Sequence, residues 1–170
     1  VADVPWDRIG SVPIALITGT NGKTTSSRLL ARIVREAGIR VGSTSSEGIT
    51  IGAELVDEGD WTGPAAARVV LRRKDVDFAV LETARGGILR RGLAMDFADA
   101  ALITNVSEDH GGGYGIDDLA AMTRVKAVVV DAVRPGGIAV LNAHDPKLVS
   151  LASAVRAEVI LFADLDGEKA

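Results

Sequence analysis

Ile14-Ala15-Leu16-Ile17-Thr18-Gly19-Thr20-Asn21-Gly22-Lys23-Thr24-Thr25 is the stretch on which the fold turns. Its first four residues are apolar and run into glycine, which predicts a short buried strand. From Thr25 to Ala37, Leu29, Leu30, Ile33, Val34 and Ala37 fall on one helical face, and Gly38 supplies a stop. A glycine-bearing turn between strand and helix gathers backbone N–H groups at the positive end of the helix, which suits phosphate oxygens. In that setting Lys23 reaches terminal phosphates and the Thr24 hydroxyl holds Mg²⁺. The strict phosphate-loop pattern has glycine five places before Gly22, where Ile17 stands, so this is a shortened variant. The dinucleotide fingerprint G-x-G-x-x-G is absent. The bland alternative is a strand–helix turn with an incidental lysine, and the Gly-Lys-Thr order in this context weighs against it.

Outward from the loop, apolar runs alternate with amphipathic ones. A second strand is expected near 40–43, a hairpin around Gly52 over 48–56, and a helix over 65–73 opened by Pro64. Further strands are expected at 78–81, 100–103, 138–141 and 159–162. Asp117 is read as the cap of a helix running to about Val133, and Pro146 as the opening of another that ends near Val155. The alternation predicts an α/β fold: a P-loop-type, mainly parallel sheet with helices on both faces. Ligands in such sheets bind beyond the carboxyl ends of the strands, where the polar clusters after Ile17, Leu81 and Ile103 fall. Residues 1–13 read as a leading linker with Trp6 as an anchor, 14–163 as the domain, and 164–170 as a polar tail.

Composition bounds the function. The chain has 170 residues, 47% of them hydrophobic, which is enough for one domain with a full core. With 23 acidic against 19 basic residues the net charge is −4, which gives no footprint for duplex nucleic acid or an anionic membrane. Cysteine is absent, which excludes disulfides, cysteine-ligated zinc, iron–sulfur clusters and thiol nucleophiles. No apolar run approaches a membrane span and the first residues do not form a signal peptide, so a cytoplasmic protein is expected.

Three further clusters carry chemistry. Phe78-Ala79-Val80-Leu81-Glu82 ends an apolar strand in a carboxylate, which next to a phosphate loop favours a Mg²⁺ ligand over a solvated strand end. Asn105-Val106-Ser107-Glu108-Asp109-His110 follows a later strand; on its own, His110 reads as a surface residue more often than a ligand. His144 sits in a turn and keeps that plain reading. Between Thr83 and Gly92 lie Arg85, Arg90 and Arg91 with Gly86-Gly87, either a solvated loop or a site that captures anionic groups.

Taken together, Thr18-Gly19-Thr20-Asn21-Gly22-Lys23-Thr24-Thr25, Glu82, Asn105 to His110 and Lys126 resemble the central ATPase domain of the Mur ligase superfamily. That superfamily includes peptidoglycan-precursor ligases, folylpolyglutamate synthetase and cyanophycin synthetase. Leu81-Glu82-Thr83-Ala84-Arg85-Gly86-Gly87-Ile88-Leu89-Arg90-Arg91-Gly92-Leu93, supported by Glu58-Gly59-Asp60-Trp61-Thr62-Gly63-Pro64, is most similar to the Mur-like part of cyanophycin synthetase and its stand-alone relatives. The chain departs from the family in following His110 with Gly111-Gly112-Gly113-Tyr114-Gly115 where an apolar residue is expected.

The resemblance implies an ATP- and Mg²⁺-dependent ligase that joins a carboxylate to an amino-acid amine through an acyl phosphate. It implies ATP contacts from Gly19, Thr20, Asn21, Gly22, Lys23, Thr24, Thr25 and Asn105, and metal contacts from Thr24, Glu82, His110 and a carbamylated Lys126. Lys23, Lys126 and His110 are the implied catalytic residues. Thr44, Ser45, Ser46 and Arg85 are the implied substrate contacts. The partners are a small-molecule or peptide carboxylate, an amine, and a C-terminal domain of the same protein whose sequence is not in this chain; without it the 170 residues are expected to turn over little. The alternatives are a Mur-type peptide or folate ligase, a non-catalytic nucleotide-binding module, or a simple P-loop kinase.

Overall fold

The computed structural model describes residues 12–107 and 118–163. The expected leading linker (apart from its last two residues), the tail, His110 and Asp117 lie outside the described residues. Along the chain come β1 (Ile14–Thr18), α1 (Lys23–Glu36), β2 (Val41–Thr44), β3 (Gly48–Ile51), β4 (Glu54–Glu58), α2 (Pro64–Leu71) and β5 (Phe78–Glu82). They are followed by α3 (Arg85–Arg91), β6 (Ala98–Ile103), α4 (Leu119–Asp131), β7 (Val133–Asn142), α5 (Pro146–Ala152) and β8 (Glu158–Phe162). The strands form one sheet of order β4-β3-β2-β5-β1-β6-β7-β8. All pairings from β2 to β8 are parallel, and β3 and β4 add an antiparallel edge.

β1 sits between β5 and β6, and all five of its residues are buried. Alternation then divides its side chains between two cores. Ile14 and Leu16 join the larger core under α2, α4 and α5, while Ile17 joins Val41 and Val80 beneath Leu30, Ala31 and Val34 of α1. Burying each of Leu16, Ile17, Leu81 and Ile103 contributes about 1.5–3 kcal/mol. Helices therefore flank both faces, as the alternating pattern predicts. On the α1 side the cover stops at the middle of the sheet: Ile138, Ile160 and Phe162 are 36%, 45% and 38% exposed, with no helix over them among the described residues.

Several boundaries differ from the sequence-based expectations, each for a local reason. The 83–92 stretch holds a helix, α3, where glycines and arginines suggested a loop. Gly87 is in its first turn because a Cβ there would stand 3.1 Å from both Gly63 Cα and Thr62 O, so the glycine lets α3 pack against the start of α2. Helix α4 ends at Asp131, and its cap is Asp118, which accepts from Ala121 N at 2.5 Å. Val133 already belongs to β7, which is longer than expected because its register with β6 shifts across residues 134–137. Gly136 adopts φ 82 there, and a Cβ on Gly137 would lie 2.5 Å from Asp99 O. Helix α5 stops at Ala152 rather than near Val155. The hairpin around Gly52, the helix opened by Pro64 and the 78–82 strand stand where expected.

One buried carboxylate ties the fold to the site. Asp145, 7% exposed, caps α5 by accepting from Lys147 N and reaches back to accept from Val106 N at 2.7 Å. It anchors the segment after β6 that braces the glycine loop.

Candidate functional site

The loop between β1 and α1 lies at the carboxyl end of the sheet, where the chain leaves β1 toward β2 on one side and later returns from β5 to β6 on the other. Such a topological switch point is where open α/β sheets bind ligands. Gly22 opens α1 in the left-handed region, φ 81, with no side-chain cap, which leaves the first N–H groups of α1 free of capping by a side chain. Gly19, at φ +151, has no room for a side chain: a Cβ would meet Thr104 Oγ1 at 1.8 Å. Gly22 is thus required by its backbone conformation, and Gly19 by both its backbone and its neighbour Thr104.

A second segment, residues 104–107, holds the loop in shape. Asn105 O accepts from Thr20 N at 3.0 Å, and the Asn105 amide exchanges bonds with Asn21, accepting from Asn21 N at 3.0 Å and donating to Asn21 O at 3.1 Å. Thr104 Oγ1 donates to Asn21 O at 2.6 Å, and Thr20 Oγ1 accepts from Ser107 N at 3.1 Å. Asn105 therefore acts on the loop itself, a role that its expected ATP contact did not anticipate. Lys23 Nζ donates to Thr20 O at 2.9 Å, across the mouth of the loop. Thr25 is exposed on α1.

Beside the loop, Thr24 Oγ1 donates to Glu82 Oε2 at 2.9 Å and lies 3.0 Å from Ser46 Oγ. Glu82 is only 2% exposed, and its Oε1 is buried with no hydrogen-bond partner among the described residues. An orphaned carboxylate oxygen next to a threonine hydroxyl fits a hard divalent cation such as Mg²⁺, which takes oxygen ligands and shares them with phosphates. Among the described residues no three His, Cys, Asp or Glu side chains cluster as a metal set, so any such cation would draw on hydroxyl and phosphate oxygens as well. Burial raises the Glu82 carboxyl above the ordinary glutamate range; the Thr24 hydrogen bond, the Lys23 charge and the Ser46 N–H oppose the rise.

A raised carboxyl binds its proton more tightly in the folded chain than in the unfolded one. Its contribution to stability is therefore fully present below the ordinary glutamate pKa and is lost as pH rises through the raised value. Glu82→Gln should flatten that part of the stability–pH curve, measured by urea unfolding at several pH values. In the same variant, nucleotide binding with Mg²⁺ should weaken by about tenfold more than binding without it. Equal weakening in both conditions would leave Glu82 a structural role only.

Lys126 emerges from α4 on the other side of the loop. It is 2% exposed, and its Nζ donates to Gly19 O at 2.9 Å, so it faces the loop and not solvent. Gly19, Lys23 and Lys126 form one end of a cleft of about 510 Å³. The other end is made by Asp60, Trp61, Thr62 and the start of α2, with Arg85, Arg90 and Arg91 of α3. Among the described residues, five cationic side chains thus line the cleft against a single carboxylate, Asp60, which itself accepts from Thr62 Oγ1 at 2.7 Å.

The other expected substrate residues divide. Ser46 stands against Thr24, inside the site. Ser45 is a turn residue: its Oγ accepts from Glu47 N, and its carbonyl accepts from Trp61 N at 3.0 Å. Thr44 is sealed at 1% exposure. Residues that the sequence reading passed over are Thr104, the brace under Gly19, and Asp145, the anchor of that brace. Nothing in their local sequence marks them, because both act across strands.

Comparison with known proteins agrees with this geometry. Residues 17–170 match the family described as Mur ligase middle domain. The chain is 51% identical over 151 residues to the cyanophycin synthetase of Synechocystis sp., covering 89% of this chain and 17% of that protein. It is 33% identical over 150 residues to the UDP-N-acetylmuramoylalanine–D-glutamate ligase of Pelotomaculum thermopropionicum, covering 88% of this chain and 29% of that protein. Among solved structures it is similar to a UDP-N-acetylmuramoyl-L-alanyl-D-glutamate–2,6-diaminopimelate ligase, with a TM-score of 0.73 at 21% identity over 94% of this chain and 33% of the other. It is likewise similar to the folylpolyglutamate synthase of Mycobacterium tuberculosis complexed with ADP and AMPPCP, with a TM-score of 0.70 at 24% identity over 91% of this chain and 45% of the other. The chain spans 17–18% of the length of the cyanophycin synthetases it matches. With the family match reaching from the end of β1 across the phosphate loop and the rest of the sheet, this chain belongs to the Mur ligase family, as a middle domain.

Proposed function

We propose that the chain is the ATP-binding domain of an amide-forming carboxylate–amine ligase of cyanophycin-synthetase type. The observation that carries this reading is the continuity of the cleft: the phosphate loop and a set of arginines line the same space. A carboxylate that is to be phosphorylated must approach a polyanionic triphosphate, and that approach needs fixed positive charge on both partners. Lys23 and the N–H groups at the start of α1 hold the β- and γ-phosphates. Arg85 holds the acidic acceptor. The nucleoside extends toward a neighbouring cleft of about 520 Å³ lined by Asn21, Asn105 and Phe162.

In the reaction, a carboxylate oxygen attacks the γ-phosphorus and the bond to the β-bridging oxygen breaks, giving an acyl phosphate and ADP. An amine then attacks the acyl carbon, phosphate leaves, and the ammonium proton is lost as the amide forms. Mg²⁺ held by Thr24 and Glu82, with a second ion toward His110 and a carbamylated Lys126, would supply neutralising charge on the phosphates. Within the class, a Mur-type peptide or folate acceptor is the alternative substrate.

The test is ATP consumption by the intact protein. ADP release that requires both a carboxylate and an amine, with an amide product, is expected; for the isolated 170 residues we expect Mg²⁺–ATP binding with little turnover. ATP binding or hydrolysis indifferent to both co-substrates would favour a non-catalytic nucleotide-binding module.

A further inference from the structure

The strap between β4 and α2, residues 59–63, crosses the carboxyl ends of β2 and β5. Its backbone is pinned on one side by Gly59 N to Glu47 O at 3.2 Å and Trp61 N to Ser45 O at 3.0 Å, and on the other by Ala84 N to Thr62 O at 3.0 Å. Trp61 is the large side chain on this strap. Its indole is partly buried against the main core and also lines the arginine-bearing cleft. Yet its Nε1–H is turned inward, buried, and has no acceptor among the described residues.

A buried donor without an acceptor is costly, and a protein that only needed an apolar plug here would lose nothing with phenylalanine. The cost is recovered if a ligand in the cleft offers an acceptor that the indole can rotate to meet. Lys23, Arg85, Arg90, Arg91 and Lys126 in that cleft make the acceptor an anionic group, and on the reading above the anion at the arginine end is the substrate's carboxylate.

We propose that Trp61 is a specificity-determining residue whose indole N–H swings from its unpaired position to hydrogen-bond a carboxylate of the acceptor substrate beside Arg85. This rests on the reading that the cleft takes the carboxylate substrate. It makes the empty site pay for an orphan donor and the loaded site regain it, so binding and strap position are coupled. The backbone pins keep Cα of Trp61 in place, and only the side chain has to move.

The experiment is an NMR titration of the intact, uniformly ¹⁵N-labelled protein with succinate as the carboxylate probe, at constant ionic strength, following the indole and guanidinium N–H resonances. The Trp61 indole resonance is assigned by its loss in Trp61→Phe. We expect its proton to move downfield with succinate and not with chloride. Trp61→Phe should lower succinate affinity by about tenfold to a hundredfold, the size of one lost hydrogen bond to a charged group. The same variant should melt at or above the wild-type temperature, because it removes an unpaired donor; a merely structural tryptophan would give the opposite pattern, a lower melting temperature with unchanged affinity, and would overturn the proposal. If Trp61→Phe fails to fold, Trp61→Tyr supplies both the assignment and the affinity comparison. An indole that responds to Mg²⁺–AMP-PNP but not to succinate, while Arg85 responds to succinate, overturns the role of Trp61 and leaves the ligase reading standing. No response to succinate anywhere in the cleft contradicts both.

Discussion

Lys126→Ala should reduce ligation by the intact protein about 10²–10³-fold, and millimolar formate or acetate should restore part of it. The reason begins with burial. Lys126 is almost wholly enclosed on α4, flanked by Val125, Ala127, Val128 and Val129, and it is aimed at Gly19 O. A buried lysine is held near neutrality more readily than an exposed one, and only the neutral amine reacts with CO₂. We propose that the carbamate so formed presents oxygen where the ammonium presents charge of the wrong sign for a cation. A small carboxylate entering the space left by Lys126→Ala would replace those oxygens, and bicarbonate added to the wild-type enzyme should raise activity in CO₂-depleted buffer. Some stability is lost too, about 1–3 kcal/mol, because Gly19 O loses its partner. Failure of every short carboxylate to restore activity in a folded variant would count against carbamylation and leave Lys126 as a brace of the loop.

The parts of the fold legible in the sequence were those written in short-range pattern. The apolar run 14–17 and the glycines after it are local features, and the phosphate loop follows from them; the apolar face expected for α1 holds only in part, since Leu30 and Val34 pack on the sheet while Leu29 and Ile33 stay 59% and 57% exposed. Glu82 was legible because it ends an apolar strand, whereas Lys126 was singled out only by the family resemblance. The α3 helix was not legible, since Gly86-Gly87 weakens any helical reading and the reason for glycine there is a contact with Gly63, some two dozen residues away. The end of α4 was missed because β7 starts immediately after it, with a glycine-bearing bulge where a loop was expected.

The site shows the same division. Residue types with strong chemistry, Lys23, Thr24, Glu82 and Arg85, could be chosen by eye; Thr24 bonds Glu82, and Lys23 and Arg85 line one cleft. Thr104, Asp145 and Trp61 could not. Thr104 matters because Gly19 approaches it too closely for any side chain, and Asp145 because a carboxylate 39 residues beyond Val106 accepts its N–H. Trp61 is distinguished by an unpaired N–H, and satisfaction of a donor is a property of three-dimensional surroundings. Asn105 also braces the loop, through the bonds of its amide to Asn21, and that task is visible only in three dimensions.

The central claim is that residues 19–25 bind the triphosphate of ATP and that Lys23 is its main fixed charge. Lys23 contributes no core packing; its Nζ contacts the loop carbonyl of Thr20, so its removal leaves the sheet intact. On the proposed reading it supplies a charge-assisted bond to phosphate in a loop otherwise built of neutral N–H groups. Titration calorimetry with Mg²⁺–AMP-PNP on wild type and Lys23→Ala, with circular dichroism and melting temperature as controls for folding, tests this most directly. The expected result is a loss of about a hundredfold or more in affinity with the fold unchanged. Equal affinity in the two proteins would contradict the assignment of the loop, and with it the ligase reading built on it.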